Sequence, residues 1–221
     1  MMDTELKTVV VAGCTSGAGK TSVAESVTRM LAPLCRVAAA KITVTHGDRG
    51  CPHGGKGCNV CSSLGADYQV ITSDFVISQP GTDTQRLQTA GGKPTIWIVT
   101  REDALASAWL ATQELMIGVE CVVVESNSLT GLIEPSLTIM IADPSVSRKL
   151  WKPSAERLIA SADCLVFNDR GTTRARDALL REIELLRGKG NNLIRVSHPH
   201  DVEGSAELMH NLNLACCVPI A

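Results

Sequence analysis

A glycine-rich segment near the start of the chain carries residues that suit phosphate binding. Residues 8–22 read TVVVAGCTSGAGKTS, a β-branched run and a glycine-rich turn followed by Lys-Thr-Ser at the expected start of a helix. Backbone N–H groups between Gly17 and Thr21 would face an anion at that helix N-terminus. Lys20 supplies a mobile cation for the β- and γ-phosphates, and the Thr21 hydroxyl suits a Mg²⁺ ligand. The segment therefore predicts a nucleoside triphosphate site.

The spacing of this loop differs by one residue from the common signature. It reads G-x5-G-K-T, whereas the common form, G-x4-G-K-T, would place a glycine where this chain has Cys14. We expect the three glycines of the loop to permit positive φ and close backbone approach. The predicted nucleotide-binding residues are Gly13, Ser16, Gly17, Ala18, Gly19, Lys20, Thr21 and Ser22.

Two carboxylates follow apolar runs and are candidates for the magnesium ion. VVVES contains Glu125, and IMIAD ends in Asp143. A carboxylate at the tip of a buried strand commonly holds the metal of a phosphoryl-transfer site, often through water. Small polar residues follow Glu125, which favours a ligand-facing turn, whereas Asp143 also suits a helix N-cap. We predict Glu125 and Thr21 as Mg²⁺ ligands, with Lys20 and Glu125 as the catalytic pair.

A second cluster of chemically competent residues lies in a polar, glycine-rich stretch. The predicted ligands follow a C-x-H-x4-C-x2-C pattern and are Cys51, His53, Cys58 and Cys61. Four such ligands can bind a tetrahedral Zn²⁺ ion, and three cysteines can hold an iron–sulfur cluster. Cys58 and Cys61 can alternatively form a redox pair, or the thiols can be incidental to a mobile loop. We predict a metal-binding insertion over residues 46–65.

Composition narrows the class of protein. The chain has 221 residues and a net charge of −2, and its positive and negative residues are interspersed. This pattern excludes a basic surface that would bind nucleic acid or an anionic membrane. Its polar, acidic N-terminus is unlike a signal peptide, so we expect a cytoplasmic protein. The chain has nine cysteines. Those that lie in or beside apolar runs are expected to be buried, and they are Cys14, Cys35, Cys121 and Cys164.

Apolar runs alternate with helical patterns along the chain. Several runs are continuously apolar, which is typical of strands buried on both faces of a parallel sheet. Strands are predicted at Thr8–Ala12, Arg36–Val44, Tyr68–Thr72, Thr95–Thr100, Cys121–Ser126, Leu137–Ala142, Cys164–Asn168 and Asn192–Val196. Helices are predicted at Lys20–Ala32, Glu102–Met116, Ser154–Ser161, Thr173–Arg187 and Gly204–Leu212. The alternation predicts one α/β domain over residues 1–221, with a doubly wound, mostly parallel sheet.

Two further segments carry candidate nucleotide contacts. PGTDTQRLQTAGG, residues 80–92, predicts a turn and a polar helix start from which Asp83, Thr84 and Arg86 face the nucleotide. Asn168 ends a late strand and suits reading a purine edge, although the following residues do not match a guanine-specific Asn-Lys-x-Asp motif. Thr15 occupies the position where partition-type ATPases carry a second lysine, which argues against a dimer that shares a lysine across the nucleotide.

Four segments resemble the molybdopterin-guanine dinucleotide biosynthesis protein B family, a GTP-binding group in the wider P-loop class that includes dethiobiotin synthetase. They are GCTSGAGKTS, Lys41 at the close of the second strand, PGTDTQRLQTAGG and VVVESNSL. The resemblance covers roughly residues 8–130. It implies a P-loop fold in a cytoplasmic homodimer that binds GTP with Mg²⁺ and hydrolyses it slowly. It also implies assistance in attaching a nucleotide to molybdopterin, alone or with a partner protein of cofactor biosynthesis.

Two other functions remain compatible with the sequence. One is an ATP-dependent small-molecule ligase or kinase similar to dethiobiotin synthetase. The other is a metallochaperone in which nucleotide binding switches the cysteine-rich loop between states. Nucleotide preference and metal content distinguish these three functions.

Overall fold

One mixed β-sheet organises the chain. The computed structural model describes residues 6–45, 64, 66–188 and 193–216. Its eight strands are Lys7–Gly13 (β1), Val37–Thr45 (β2), Tyr68–Ile71 (β3), Thr95–Arg101 (β4), Cys121–Glu125 (β5), Leu137–Ala142 (β6), Cys164–Asn168 (β7) and Leu193–Val196 (β8). They lie in the order β3-β4-β2-β5-β1-β6-β7-β8. All neighbours pair in parallel except β3 and β4.

Seven helices and several short 3-10 turns connect the strands. The helices are Lys20–Leu31 (α1), Asp74–Ile77 (α2), Asp83–Thr89 (α3), Leu105–Gln113 (α4), Ala155–Ser161 (α5), Thr173–Arg187 (α6) and Ala206–Cys216 (α7), counted among the described residues. A 3-10 turn extends α4 at each end, so the predicted helix Glu102–Met116 is present as three consecutive pieces. Thr172 caps α6 by accepting a hydrogen bond from the Ala175 N–H, and Gly188 ends it.

Both faces of the sheet are buried, as the continuous apolar runs predict. On β1, Val9 and Val11 pack in a cluster with α1 and α7, whereas Val10 packs in a cluster with α4. Ala12 joins a third cluster with α5 and α6. Every residue of β5, β6 and β7 is buried. The predicted α/β class and doubly wound, mostly parallel sheet are therefore confirmed.

Strand β3 is the exception to the parallel arrangement, and the register gives the reason. The last residue of β2, Thr45, pairs with Arg101 at the carboxyl end of β4. Tyr68, the first residue of β3, pairs with the adjacent Thr100. The chain leaves the sheet and re-enters it at the same end, the carboxyl end of β4. Strand β3 therefore has to run antiparallel to β4.

Candidate functional site

The loop between β1 and α1 has the backbone geometry of an anion cradle. Gly17 and Gly19 adopt left-handed conformations with φ of 77° and 101°. Gly19 is the N-cap of α1, and no side chain caps that end of the helix. The first N–H groups of an α-helix have no acceptor within the helix, so those at this end of α1 suit a bound anion. Ser16 and Gly17 form the exposed tip of the loop, and Ala18 is buried beneath it.

Gly13 is required for a reason other than positive φ. It is the last residue of β1, and positive φ is confirmed only for Gly17 and Gly19 of this loop. A Cβ at Gly13 would lie 2.8 Å from Cγ of Lys20. A side chain here would therefore displace the stem of Lys20. The close approach expected at Gly13 is present, but its partner is the lysine itself.

The loop between β1 and α1, residues 14–19 and called the phosphate loop below, is also packed against a distant part of the chain. A Cβ at Gly19 would lie 2.5 Å from Cγ of Pro199, in the 3-10 turn Pro199–Gly204. Glu203 of the same turn forms an ion pair with Arg29 near the end of α1. The turn after β8 therefore contacts α1 at its first residues and again near its last turn.

Lys20 is a desolvated ammonium group at the base of the loop. Its Nζ donates a hydrogen bond to the carbonyl oxygen of Thr15 at 2.9 Å. Burial lowers the pKa of Lys20 to about 8, and the nearby charge of Lys152 adds to the decrease, while Glu125 opposes it. A phosphate anion would favour the charged form of this lysine.

Thr21, the residue that follows Lys20, contacts Glu125, and a magnesium site formed by these two residues requires such a contact. The Thr21 hydroxyl donates to Oε2 of Glu125 at 2.8 Å. Nζ of Lys41 lies 3.6 Å from Oε1 of Glu125 and also contacts Asp83. Glu125 is only 6% exposed, so this carboxylate and its partners form a shielded polar cluster.

Strand register explains why Lys41 joins this cluster. Lys41 lies directly opposite Glu125 in the pairing of β2 with β5, and Val11 of β1 lies opposite Glu125 on its other side. The expectation that Lys41 closes the second strand is wrong, because β2 continues to Thr45. Its position in the middle of β2 places its ammonium group beside Glu125 instead of beyond the sheet.

Asp83 and Arg86 lie near the site, but each is held by other protein groups. Burial alone would raise the pKa of Asp83, but the hydrogen bond and charge of Lys41 hold it below its usual value. Nε and Nη2 of Arg86 both donate to Glu25, at 2.9 and 2.7 Å, and Nη2 also donates to Ser22 Oγ at 3.0 Å. Arg86 therefore ties α3 to the first turns of α1. Its direct contact with a nucleotide stays a prediction.

Asn127 is a site residue that motif reasoning missed. Its Oδ1 accepts from the Gly13 N–H at 3.2 Å, and its Nδ2 donates to the Gly13 carbonyl at 2.9 Å. Nδ2 also donates to Ser154 Oγ at 3.2 Å. The signal in the sequence was the run of small polar residues after Glu125. Asn127 fixes the start of the phosphate loop relative to the end of β5.

We expect Asn127→Ala to lower the free energy of unfolding by about 2–4 kcal/mol, because it removes the side-chain hydrogen bonds to the buried N–H and carbonyl groups of Gly13. Ser154→Ala removes only the third contact of the amide and should cost about 1 kcal/mol or less. Urea denaturation of both variants measures the difference. Equal costs for the two substitutions would contradict the bracing role of Asn127.

Lys152 is a second residue that the motifs did not reveal. Its backbone N–H donates to the Cys14 carbonyl at 2.8 Å, which attaches the segment before α5 to the phosphate loop. Burial lowers the pKa of Lys152, Glu125 opposes the shift, and Lys41 adds to it. Three lysines, Lys20, Lys41 and Lys152, therefore act electrostatically on the same cluster.

Asn168 and Asp143 lie together at the ends of β7 and β6. Asn168 is 1% exposed, and its Nδ2 donates to Oδ2 of Asp143 at 3.4 Å. Among the described residues, Oδ1 of Asn168 has no hydrogen-bond partner. Oδ1 of Asp143 accepts from the N–H and the hydroxyl of Ser145. Asp143 thus closes a local turn, and base recognition by Asn168 stays a prediction.

The predicted Cys/His ligands Cys51, His53, Cys58 and Cys61 lie outside the described residues, as do residues 46–63 and 65 of the insertion. Within the described ranges, no group of three or more His, Cys, Asp or Glu side chains is arranged to hold a metal ion. Over the same part of the chain, no helix is both long and apolar enough to cross a membrane.

Comparison with solved structures identifies the fold. The structure is similar to the crystal structure of HypB from Helicobacter pylori in complex with nickel, with a TM-score of 0.53 and 11% identity. That match covers 98% of this chain and 90% of the HypB chain. The two chains therefore share one α/β fold, in which helices flank a mostly parallel sheet. The predicted sheet type is thereby confirmed, and at this identity the likeness shows the fold alone.

Two further structures give weaker matches. The "apo" form of LpxK from Aquifex aeolicus in complex with ATP has a TM-score of 0.48 and 11% identity, over 86% of this chain and 54% of LpxK. A ParA family ATPase from Chlorobium tepidum has a TM-score of 0.42 and 12% identity, over 95% of this chain and 92% of the ATPase. No protein-family model matches the sequence, and no curated protein matches it.

Proposed function

We propose that this protein binds a nucleoside triphosphate with Mg²⁺ at the loop Gly13–Ser22 and slowly hydrolyses it. The observation that carries the proposal is the contact of Thr21 Oγ1 with Glu125 Oε2 at 2.8 Å, one residue beyond the half-buried Lys20. Hydroxyl, carboxylate and ammonium groups then stand together at an uncapped helix N-terminus. This is the set of groups that a magnesium triphosphate requires.

The donor set at Thr21 and Glu125 fits a magnesium ion. Both groups are hard oxygen donors, and Mg²⁺ typically takes one or two protein ligands together with phosphates and water. When bound, the ion would offset the charge that develops on the β- and γ-phosphate oxygens. Thr21 and Glu125 would hold it, directly or through water.

The remaining charged residues would position the triphosphate. The loop amides and Lys20 would bind the β- and γ-phosphates. Lys41 and Lys152 add positive charge around Glu125, and Asp83 orients Lys41 through their ion pair. Arg86 would support this arrangement from outside the phosphate loop, because it donates hydrogen bonds to Glu25 and Ser22 of α1.

We favour GTP as the nucleotide and assistance in molybdopterin guanine dinucleotide biosynthesis as the role. The support is the resemblance of GCTSGAGKTS and PGTDTQRLQTAGG to the corresponding family segments. Asn168 would read the base by exchanging its bond with Asp143 for the purine edge. A homodimer and a molybdopterin or protein partner belong to the same proposal.

A nucleotide-switched metal carrier is the second candidate. The fold is similar to that of HypB, whose crystal structure contains nickel, and this chain carries the Cys51–Cys61 ligand pattern. The residues of that pattern would bind Zn²⁺, an iron–sulfur cluster or a transported ion. Dimerisation that depends on metal, without turnover of nucleotide, would favour this candidate.

Thermal denaturation with Mg·GTP and Mg·ATP tests the proposal. Ligand at 100 times its Kd stabilises a protein by about 2.7 kcal/mol. For a chain of this size we expect the midpoint to rise by roughly 5–10 °C. Omitting Mg²⁺ and adding a chelator should reduce the shift. A larger shift with ATP than with GTP would favour the ligase or kinase alternative, and no shift with either nucleotide would overturn the proposal.

A further inference from the structure

Three cysteines gather at the end of the sheet opposite the phosphate loop. Cys121 is the first residue of β5, the strand that ends at Glu125, and Cys216 is the last residue of α7. Their sulfur atoms lie 3.5 Å apart, although the residues are 95 positions apart in the chain. Cys35 and Cys216 pack at the margin of the same apolar cluster, to which Cys121 belongs. This cysteine cluster has no place in the nucleotide chemistry.

We propose that Cys121 and Cys216 form a reversible disulfide by exchange with a small-molecule disulfide such as oxidised glutathione. A disulfide needs an S–S separation of about 2.05 Å, so sulfurs now at 3.5 Å have to approach by about 1.5 Å. Cys216 ends its helix and is half-buried, whereas Cys121 is 1% exposed on a central strand. The movement therefore falls on the last turn of α7.

The positions of the two sulfurs define their roles in the exchange. The Cys216 thiolate attacks one sulfur of the small disulfide, whose S–S bond breaks and releases one thiolate. The Cys121 thiolate then attacks Cys216 Sγ in the mixed disulfide and expels the second small thiolate. Two protein thiols are oxidised, one small disulfide is reduced to two thiols, and the two protons of the cysteines pass to those thiols.

The electrostatics agree with this order of attack. The hydrogen bond between the two thiols lowers the pKa of Cys216, burial opposes the shift, and Lys7 assists it. The same hydrogen bond, together with burial, raises the pKa of Cys121. Burial raises the pKa of Cys35 to about 11, and the nearby Cys216 adds to the increase. Cys35 is therefore a poorer nucleophile than Cys216 for the first attack at neutral pH.

Peptide mapping tests the pairing directly. The full-length protein is equilibrated in oxidised and reduced glutathione, alkylated, digested with trypsin and analysed by mass spectrometry. Cys121 is the one cysteine of the tryptic peptide 102–148, Cys35 is the one cysteine of 30–36, and Cys216 shares 196–221 with Cys217. We expect a cross-link between peptides 102–148 and 196–221 that disappears on adding reductant.

Neighbouring variants identify the sulfur involved. The cross-link should be lost in Cys216→Ser and in Cys121→Ala but retained in Cys217→Ser. Oxidation should raise the denaturation midpoint of the wild type by roughly 5–15 °C, and Cys216→Ser should lose this increase. A link from 196–221 to 30–36, loss of the link in Cys217→Ser, or no link at any glutathione ratio would overturn the proposal.

Discussion

Replacing Lys20 with alanine should raise the Kd for Mg·GTP by roughly 100- to 1,000-fold, a loss of about 3–4 kcal/mol. The substitution removes the ammonium group expected to contact the β- and γ-phosphates. It should not unfold the protein, because burial and the charge of Lys152 already disfavour the charged form of Lys20. Isothermal titration calorimetry measures the Kd, and circular dichroism checks the fold.

Lys93→Ala is the matched control for this variant. Lys93 is exposed and lies just before β4, at the amino end of that strand, whereas the phosphate loop follows the carboxyl end of β1. Its substitution removes the same charge and should leave the Kd unchanged. If Lys20→Ala bound Mg·GTP as tightly as Lys93→Ala, Lys20 would have no role in phosphate binding.

The wild-type protein should show the same lysine in its pH dependence. With a pKa of about 8, folded Lys20 loses its proton in a range where the unfolded chain, near 10.5, keeps it. Its contribution to the free energy of unfolding therefore rises from pH 8 to 10.5, while nucleotide affinity falls. If only the charged form binds, the Kd should rise roughly fivefold between pH 8 and pH 9.

The second large effect is expected at Glu125. Glu125→Gln keeps the shape of the side chain but removes the charge that would hold Mg²⁺, so turnover should fall roughly 100-fold, about 2.7 kcal/mol in the barrier. Nucleotide affinity should also lose most of its dependence on Mg²⁺ while binding itself persists. Phosphate release at several Mg²⁺ concentrations measures the first effect, and calorimetry with and without Mg²⁺ measures the second.

Asp143→Asn separates the two carboxylates that the sequence offers. The local turn can survive this change, because the remaining side-chain oxygen at position 143 can still accept from Ser145. Asn168 can rotate its unpartnered Oδ1 toward the new amide. We expect Asp143→Asn to retain both turnover and Mg²⁺ dependence. If its losses matched those of Glu125→Gln or exceeded them, the metal assignment would move to Asp143.

Local patterns predicted most of the fold because its strands are short apolar runs and its helices have clear ends. The helix Thr173–Arg187 and the strand Cys164–Asn168 have the predicted bounds. The antiparallel pairing of β3 was not predictable, since it depends on which end of the strands the chain has reached when it re-enters the sheet. The short helix α2 lacked any periodic signal, because its four residues make about one turn.

The site was predictable where one stretch of chain makes it and not where distant residues complete it. Lys20 and Thr21 follow the glycine loop in sequence, so their types and spacing indicated their chemistry. Asn127, Lys152 and Pro199 join the site through tertiary contacts with Gly13, Cys14 and Gly19. No spacing rule connects such positions, because each pair meets only when strands far apart in the chain become neighbours.

The contact between Pro199 and Gly19 constrains how this chain can evolve and how it can be divided. Any side chain at position 19 would collide with the proline ring, so a substitution of Gly19 would also need a change at position 199. The ion pair of Glu203 with Arg29 adds a second tie between the same two regions. A fragment that stopped after β6 would leave the phosphate loop without these contacts, so residues 1–142 should not serve as an autonomous module in chimaeras.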